Sequence, residues 1–311
     1  MVVQKKELTP QEEIALIQKK LGHAVSKEKA VKYWLDMGEP LLHTALGSPT
    51  HGLPYGKVIS LTGFESHGKT AVALEIAAAA QKDGADVAWV DPEDSFDEKW
   101  VGKRGLDPAK VALFKTELIE IKNKKGEVTD MRLKTAQELC AEAEEWVKLK
   151  HRQRPDGRIF VGVDSVTAFL VEDEEVAGIE NQNMRTKTSL AQFMGQLLRR
   201  WTGIAAASNA MFLLINQVRI APGVRFGDPE YSPGGHALLF YASSIARVRR
   251  AGGGRILEGD ARVGMQGVIT NRKNKVGEGS QEGHKVGFKV WWNKPGMQFL
   301  DAKKIQKEEA V

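Results

Sequence analysis

Apolar residues near the start of the chain recur at helical spacing and predict two short helices. The first opens with an N-cap, a first-turn proline and the acid of a capping box, which are Thr9, Pro10 and Glu12. The second is predicted to begin at Ser26, to carry Trp34 and Leu35, and to end at Gly38. Together they would form a small N-terminal helical segment.

From residue 57 onward, short apolar runs alternate with helical patterns; the runs are KVISL, VAWV, IFVGV and MFLLI. This alternation predicts an α/β fold with a mostly parallel central sheet flanked by helices. One such helix is predicted over residues 188–201 from an apolar stripe of Leu190, Phe193, Met194, Leu197, Leu198 and Trp201. After residue 240, the runs SSIARVRR, QGVITNRKNK and HKVGFKVWWN predict that the sheet continues with antiparallel connections.

Length and composition indicate one main domain. With 311 residues, 42% of them hydrophobic, the chain can bury one large core, because single cores stop growing near ~250–300 residues. We expect a helical oligomerisation segment over residues 1–45, a core over 46–300 and a charged, frayed tail over 301–311. The net charge of +5 is too mild to identify a partner.

The number of cysteines and the hydropathy of the chain argue against a disulfide-stabilised protein and against a protein with a membrane-spanning helix. Cys140 is the sole cysteine, so no intramolecular disulfide can form. No run of residues approaches the ~18 apolar residues of a membrane span. These features predict a cytoplasmic protein without a membrane partner.

The strongest motif is GFESHGKT, residues 63–70, which fits the phosphate-binding pattern GxxxxGK[ST]. It follows the strand-like KVISL and leads into the helical AVALEIAAAA, as the pattern requires. The motif predicts a site for ATP and Mg²⁺, in which Lys69 binds phosphate and Thr70 binds the metal. The other candidates for binding the nucleotide in this segment are Gly63, Glu65, Ser66, His67, Gly68 and Ala71.

Acidic residues follow two of the predicted strands. Asp164 ends the apolar run IFVGVD, in the position of an aspartate that holds Mg²⁺, and the alternative is that it caps the next helix. The segment VAWVDPEDSFD offers four acids that could orient an attacking water, which are Asp91, Glu93, Asp94 and Asp97. Chemistry alone does not choose among the four.

Six segments, taken in order, resemble motifs of the RecA recombinase family, its bacterial and phage members in particular. GFESHGKT is similar to that family's GPESSGKT, VDPEDSFD to IDAEHALD, and VDSVTAF to VDSVAAL. LLINQVR is similar to IFINQIR, GDPEYSPGGHALLFYAS to GNPETTTGGNALKFYAS, and NRKNKVG to VKNKIA. The resemblance covers about residues 47–292, and a generic P-loop protein would share only the first and third motifs.

The resemblance implies a RecA-type P-loop NTPase core and a DNA-dependent ATPase. Such a protein assembles as a helical filament on single-stranded DNA and catalyses its pairing and strand exchange with homologous duplex DNA. Within this core, Glu93 takes the water-activating position and Gln217 that of a γ-phosphate sensor. Asp97 and Trp100 fall where the family holds adenine, although the family usually has tyrosine at the second position.

Two loops are assigned to DNA by the same resemblance. The loop over residues 218–235 combines arginines, an apolar wedge and glycines, and its candidates are Arg219, Arg225, Phe226, Gly234 and Gly235. Its 18 residues are long for a connection in a compact domain. The first loop, residues 172–187, opens with the acidic run EDEE, which would repel phosphates, so only Arg185 is assigned there. Arg199, on the predicted helix that follows, is the last of the candidate DNA-binding residues.

Assembly and the end of the chain are also interpreted through the family. Lys273 and Lys275 match lysines that reach the ATP of a neighbouring subunit, whereas two lysines alone would indicate a solvated strand. The N-terminal segment packs on a neighbour in the family. The resemblance ends near residue 292, so the family's C-terminal domain has no counterpart here and the capture of duplex DNA is left open.

Two other interpretations share part of this evidence. Another RecA-fold ATPase, such as a hexameric DNA helicase or a regulatory ATPase, needs the P-loop and the lysines but not paired DNA loops of this pattern. A small-molecule P-loop kinase would need an arginine-rich lid, for which Arg249, Arg250 and Arg255 are the candidates. The loop over residues 218–235 favours the recombinase.

Overall fold

Strands and helices alternate along most of the chain in the computed structural model, which describes residues 31–178, 180–181, 184–220, 230–231, 234, 236–276 and 282–307. The strands are β1 (Trp34–Leu35), β2 (Leu53–Pro54), β3 (Val58–Gly63), β4 (Asp86–Asp91), β5 (Val111–Lys115), β6 (Leu118–Lys122), β7 (Val128–Leu133), β8 (Ile159–Val163), β9 (Ala210–Gln217), β10 (Arg219–Ile220), β11 (Glu230–Tyr231), β12 (Ser244–Glu258), β13 (Ala261–Asn274), β14 (Lys285–Trp291) and β15 (Met297–Asp301). The α-helices are α1 (Pro40–Leu46), α2 (Lys69–Lys82), α3 (Glu98–Lys103), α4 (Ala136–Gln153), α5 (Glu172–Ala177), α6 (Met184–Ser208), α7 (Ala237–Tyr241) and α8 (Ala302–Lys307).

Nine strands form one sheet in the order β15-β14-β13-β12-β3-β9-β8-β4-β5. All neighbours from β12 to β5 are parallel, whereas the strands from β12 to β15 pair antiparallel. The predicted α/β fold with a mostly parallel sheet is therefore confirmed, and so is its antiparallel continuation after residue 240. Because β3, β4, β8 and β9 are parallel, the segments that follow them emerge at the same edge of the sheet.

Helices cover both faces of this sheet. On one face, α2 buries its alanine-rich surface in a core shared with Leu42 and Leu46 of α1. On the other face, α4 and α6 pack on the sheet, and the Trp201 ring stacks on Phe212 at 4.5 Å. The helix predicted over residues 188–201 is confirmed and lies within the longer α6.

The predicted helix through Trp34 and Leu35 is wrong, because these two residues form β1, which pairs antiparallel with β2. The two segments are in close contact, since a Cβ atom on Gly52 would lie 2.1 Å from the Leu35 carbonyl oxygen. The helix of this region begins later, at Pro40. Pairing with a segment that is distant in sequence thus overrides the local helix start and end signals. The first predicted helix and Ser26 lie outside the described residues.

The last described residues are also more ordered than the frayed tail that was predicted. Ala302–Lys307 forms α8, in which Ala302 and Ile305 are buried. Gly287 lies beneath it, and a Cβ atom there would come within 2.8 Å of the Ile305 side chain. The boundary predicted between residues 45 and 46 falls inside α1, and the assembly role of residues 1–45 stays a prediction. None of the helices in the described part of the chain combines the length and the apolar character that a bilayer crossing demands.

Candidate functional site

The loop from β3 to α2 is shaped by two close contacts at glycines. A Cβ atom on Gly63 would lie 2.3 Å from the Val248 carbonyl oxygen, and one on Gly68 would lie 3.2 Å from the Phe288 ring. Gly68 has φ +90°, which favours glycine, and it is the N-cap residue of α2. Within the described residues no side chain caps this helix. Its first N–H groups are therefore left for an anion, as a phosphate-binding loop requires.

Lys69 and Thr70 begin α2 and lie against the end of β8. Burial lowers the pKa of Lys69, although the carboxylates of Asp164, Glu93 and Glu65 act in the opposite direction. The Lys69 Nζ donates to the Phe64 carbonyl oxygen at 2.7 Å, and the Thr70 hydroxyl donates to Asp164 Oδ2 at 2.6 Å. Burial raises the pKa of Asp164 to about 6, despite the hydrogen bond from Thr70.

These groups fit a nucleotide with Mg²⁺. Thr70 and Asp164 bring a hydroxyl and a carboxylate oxygen together, and Mg²⁺ prefers oxygen ligands. The described residues contain no cluster of three or more metal-ligating side chains. Mg²⁺ is held by one or two carboxylates and by substrate phosphates in nucleotide sites.

Geometry separates the four acids that chemistry left open. Glu93 Oε1 accepts a hydrogen bond from the Ser165 hydroxyl at 2.6 Å and lies 3.5 Å from Gln217 Nε2. Glu93, Ser165 and Gln217 follow or end three different strands, so the sheet brings together the predicted water-activating acid and the predicted sensor. Ser165 was not a sequence candidate, although it stands directly after Asp164 in VDSVTAF.

The other three acids have local partners. Buried Asp91 accepts hydrogen bonds from the Ser95 hydroxyl at 3.1 Å and from the Phe96 N–H at 2.7 Å, which close the turn after β4. Asp94 pairs with Lys115 at 3.1 Å on the surface. Asp97 caps α3 by accepting from the Trp100 N–H at 2.7 Å. Each of these contacts stabilises a turn, a helix end or the surface of the fold.

Trp100 lies in an aromatic cluster at the same end of the sheet. Its ring meets Trp292 edge-on at 5.8 Å, and Arg104 Cζ lies 4.6 Å from the centre of the Trp100 ring. Arg104 is buried and donates to the Gly296 carbonyl oxygen at 2.8 Å. Trp292 was not a sequence candidate, and the pair WW after β14's apolar pattern was the available signal. Trp100 and Trp292 are both half-buried, and an aromatic ring of this kind can pack on a nucleobase.

The remaining P-loop candidates differ in environment. Glu65 and Ser66 are exposed, and Ala71 is buried in α2. The His67 ring meets Phe64 edge-on at 5.6 Å. Burial, then the positive charges of Lys69 and Arg250, lower the pKa of His67. His67 is therefore a neutral replacement for the serine of the family motif.

Directly after β9, the chain forms the first of two short strands that pair as a ribbon. Arg219 and Ile220 of β10 pair antiparallel with Tyr231 and Glu230 of β11. These four residues are the ribbon. Arg219 is exposed and stands two positions after Gln217. The ribbon lies within the predicted DNA loop over residues 218–235.

The other DNA candidates are only partly described. Gly234 has φ +89°, and Arg199 is an exposed residue of α6. Arg185 lies in α6, but its side chain is outside the described part. Arg225, Phe226 and Gly235 also lie outside the described residues. The acidic run EDEE forms the first turns of α5.

A cavity of about 790 Å³ adjoins the ribbon. Its walls include Asn216 and Arg247, neither of which was a sequence candidate. Asn216 is fully buried, and its side-chain amide has no hydrogen-bond partner among the described residues. Arg247 is buried and forms an ion pair with Glu230 of the ribbon.

The two predicted trans-acting lysines differ in this structure. The Lys273 Nζ donates to the Ala242 carbonyl oxygen at 2.6 Å and to the Leu239 carbonyl oxygen, so it satisfies the end of α7. Burial, then repulsion from Lys275, lower the pKa of Lys273. Lys275 lies just beyond β13 and is exposed. Lys275 is thus the more exposed of the two lysines.

Known proteins match most of this chain. A family profile described as the RecA N-terminal domain matches residues 12–130 and 154–294. The RecA proteins of Pseudomonas putida and of Pseudomonas fluorescens strain SBW25 are each 36% identical to this chain over 225 residues, which are 72% of this chain and 56% of the relative. The RecA protein of Pseudomonas syringae pv. syringae strain B728a gives the same values. The chain therefore spans little more than half the length of the curated relatives that it matches.

The profile match includes the parts of the site that the sheet brings together. Its two segments contain the loop over residues 63–70, Glu93, Asp164, Gln217 and the ribbon. They also contain every strand of the parallel half of the sheet, from β3 to β12. The family match and the geometry agree, and the chain belongs to the RecA family.

Proposed function

We propose that this protein is an ATP-dependent recombinase. It hydrolyses ATP to ADP and phosphate with Mg²⁺, assembles as a helical filament on single-stranded DNA, and pairs that strand with homologous duplex DNA for strand exchange. The proposal rests mainly on the arrangement of residues at the end of β9. Gln217 meets Glu93 there, and Arg219 of the ribbon follows two positions later. One short stretch of chain thus connects a hydrolytic site with a DNA site.

Nucleotide binding falls to the P-loop and α2. The free N–H groups of α2 and the Lys69 Nζ would receive phosphate oxygens, and Lys69 would then leave the Phe64 carbonyl that it contacts here. Thr70 and Asp164 would hold Mg²⁺, which supplies neutralisation of the charge that develops on the transferred phosphoryl group. The Trp100 ring would pack on adenine.

Hydrolysis needs a water that is oriented and relieved of a proton. Glu93 is the acceptor for that proton, and the Ser165 hydroxyl holds its carboxylate in place. Gln217 is near enough to Glu93 to sense whether a γ-phosphate is present, and it would transmit a shift to the ribbon. Attraction of Gln217 by ATP would therefore reposition Arg219.

DNA binding falls to the ribbon and its flanking loops. Arg219 and Arg225 would neutralise phosphates, Phe226 would enter between bases, and the glycines at 234 and 235 would approach the backbone. Lys275 would reach the ATP of the next subunit, so that hydrolysis depends on assembly. Arg185 and Arg199 would add phosphate contacts from α6.

ATP turnover with and without poly-dT, followed by electron microscopy with ATP and single-stranded DNA, tests this proposal. We expect turnover to rise with poly-dT and helical filaments to form. Turnover that ignores poly-dT would support a small-molecule kinase, whereas stimulated turnover by closed rings would support a hexameric helicase. Strand exchange with a homologous duplex, against a heterologous duplex as control, then tests pairing itself.

A further inference from the structure

Arg247 lies between the P-loop and the ribbon, and none of the roles given above uses it. It belongs to β12, which runs parallel to β3, and it stands opposite Thr62, the residue before the P-loop begins. Only 8% of Arg247 is exposed. Because a buried charge destabilises a protein unless it is paired, a guanidinium in this position needs partners on the sides that it faces.

One partner belongs to the P-loop. Arg247 Cζ lies 5.3 Å from the centre of the Phe64 ring, within the range of a cation–π contact. The carbonyl oxygen of the same Phe64 accepts the hydrogen bond from the Lys69 Nζ. A displacement of Lys69 toward a phosphate would therefore release the peptide that carries the Phe64 ring.

The other partner belongs to the ribbon. The Arg247 guanidinium forms an ion pair with Glu230, which is itself largely buried. Glu230 stands opposite Ile220 in the ribbon, directly beside Arg219. Arg249 also reaches Glu230, at 3.0 Å, but its side chain is 56% exposed. Arg247 is thus the buried partner, and Arg249 offers a matched control.

We propose that Arg247 is a positioning residue that couples occupancy of the P-loop to the placement of the DNA ribbon. Its rigid, planar guanidinium makes the ring contact and the ion pair at once, so a change at Phe64 shifts Glu230 and the strand that carries it. This route is separate from the one through Gln217, because it begins at the P-loop and not at Glu93. The inference rests on the proposed function, and by linkage DNA on the ribbon changes nucleotide affinity by the same factor.

The first experiment follows the ribbon without DNA. Tyr231→Cys, at a position that is 48% exposed, carries an environment-sensitive dye, while the native Cys140 is 2% exposed and therefore shielded from the dye reagent. Addition of a non-hydrolysable ATP analogue with Mg²⁺ should change the dye spectrum. Arg247→Gln should remove most of that change, because the ribbon would no longer be tied to the Phe64 ring. Arg249→Gln should retain most of it.

The second experiment measures coupling to DNA. The ratio of the Kd for poly-dT without and with the ATP analogue should lie in the range of about 5–150 for the parent protein. It should fall toward one in Arg247→Gln and in Glu230→Gln. If the two residues act as a pair, the double variant should lose no more than either single variant. Arg247→Lys, which retains the charge but lacks the planar group, should give an intermediate ratio.

The outcomes separate this inference from the proposed function. A dye response in Arg247→Gln equal to that of the parent, or no response in a parent that binds the analogue, overturns the coupling and leaves the recombinase proposal intact. A parent that binds no nucleotide overturns both. Thermal unfolding checks that each variant is folded. Should Arg247→Gln not fold, the Arg247→Lys and Glu230→Gln variants decide, and a parental ratio in both would refute the coupling.

Discussion

The proposed nucleotide side and the proposed DNA side of this molecule both include residues at the same ends of the parallel strands, yet they are built differently. On the nucleotide side, Lys69 and Asp164 are buried and each forms a hydrogen bond within the protein. On the DNA side, Arg219 and Arg199 are exposed, and the two described strands of the ribbon are two residues long. The first region is fixed by the sheet, whereas the second lies on a short ribbon and on the exposed surface of α6.

The difference follows from what each ligand requires. Phosphoryl transfer depends on groups that are held in place before the reaction, so its residues lie on buried strand ends and at a helix start. Binding of single-stranded DNA depends largely on charge and stacking, which exposed arginines and aromatic residues supply. Single substitutions on the nucleotide side should therefore abolish nucleotide binding or hydrolysis almost completely. Substitutions on the DNA side should each lower DNA affinity only in part.

The largest effect is expected at Glu93. Glu93→Gln should keep ATP bound and lower kcat by about 10²–10⁴-fold, because the amide cannot accept the proton. Lys69→Ala should instead lose tight nucleotide binding. Nucleotide binding by equilibrium titration and kcat by phosphate release separate the two variants. Asp94→Asn is the control and should remain near the parent rate; if Glu93→Gln were equally active, Asp94 would become the candidate.

A mixing experiment asks whether the nucleotide site is completed by a neighbour. Lys275→Ala and Glu93→Gln should each be nearly inactive alone, whereas an equal mixture with DNA should recover activity. About a quarter of random interfaces would pair an intact Glu93 with an intact Lys275, as expected for a cation that acts in trans. Lys273 is left unchanged because its ammonium group supports the end of α7. Mixed filaments that stay inactive at every ratio would confine Lys275 to its own subunit.

A graded effect is expected on the DNA side. Arg219→Ala with Arg225→Ala should lower the slope of log affinity for poly-dT against log salt by up to about two units, roughly one per lost phosphate contact. Basal ATP hydrolysis without DNA should survive. Lys124→Ala, a lysine in the turn between β6 and β7, removes one charge away from the ribbon and serves as control. An unchanged slope in the double variant would move the DNA site elsewhere.

The smallest effect is expected from pH. Burial raises the pKa of Asp164 to about 6, and only the carboxylate can hold Mg²⁺. Activity should thus be lost as pH falls through that value, by about tenfold per unit below it. Because protons and the metal compete, more Mg²⁺ should shift the midpoint of kcat/KM to lower pH. A midpoint that does not respond to Mg²⁺ would assign the titration to another group.

Local patterns were enough to predict much of the nucleotide side. The P-loop is a continuous motif with a strand before it and a helix after it, and both are present as β3 and α2. Local patterns could not choose the water-activating residue among the four acids, because that choice depends on which acid contacts residues at the ends of β8 and β9. Resemblance to the family selected Glu93, and the structure brings it to Ser165 and Gln217.

Local patterns failed where a partner is distant in sequence. Trp34 and Leu35 were assigned to a helix between the start signal Ser26 and the end signal Gly38, but their pairing with β2 makes them a strand. Arg247 was one arginine among several in a strand-like run, and its contacts with Phe64 and Glu230 join residues far apart along the chain. The contacts of Lys273 could not be predicted from local patterns either, because the carbonyl groups that it contacts lie in α7 and directly after it, 34 and 31 residues earlier in the chain.

The amino-acid sequence by itself determined the alternation of strands and helices, the family and the phosphate-binding loop, because each of these depends on near neighbours or on a continuous motif. Only the tertiary structure decided which acid meets Gln217, which lysine is hydrogen-bonded within its own chain, and that a buried arginine contacts both the P-loop and the ribbon. Those decisions depend on burial and on side chains brought together by the sheet, and burial sets the pKa of Asp164 for the same reason.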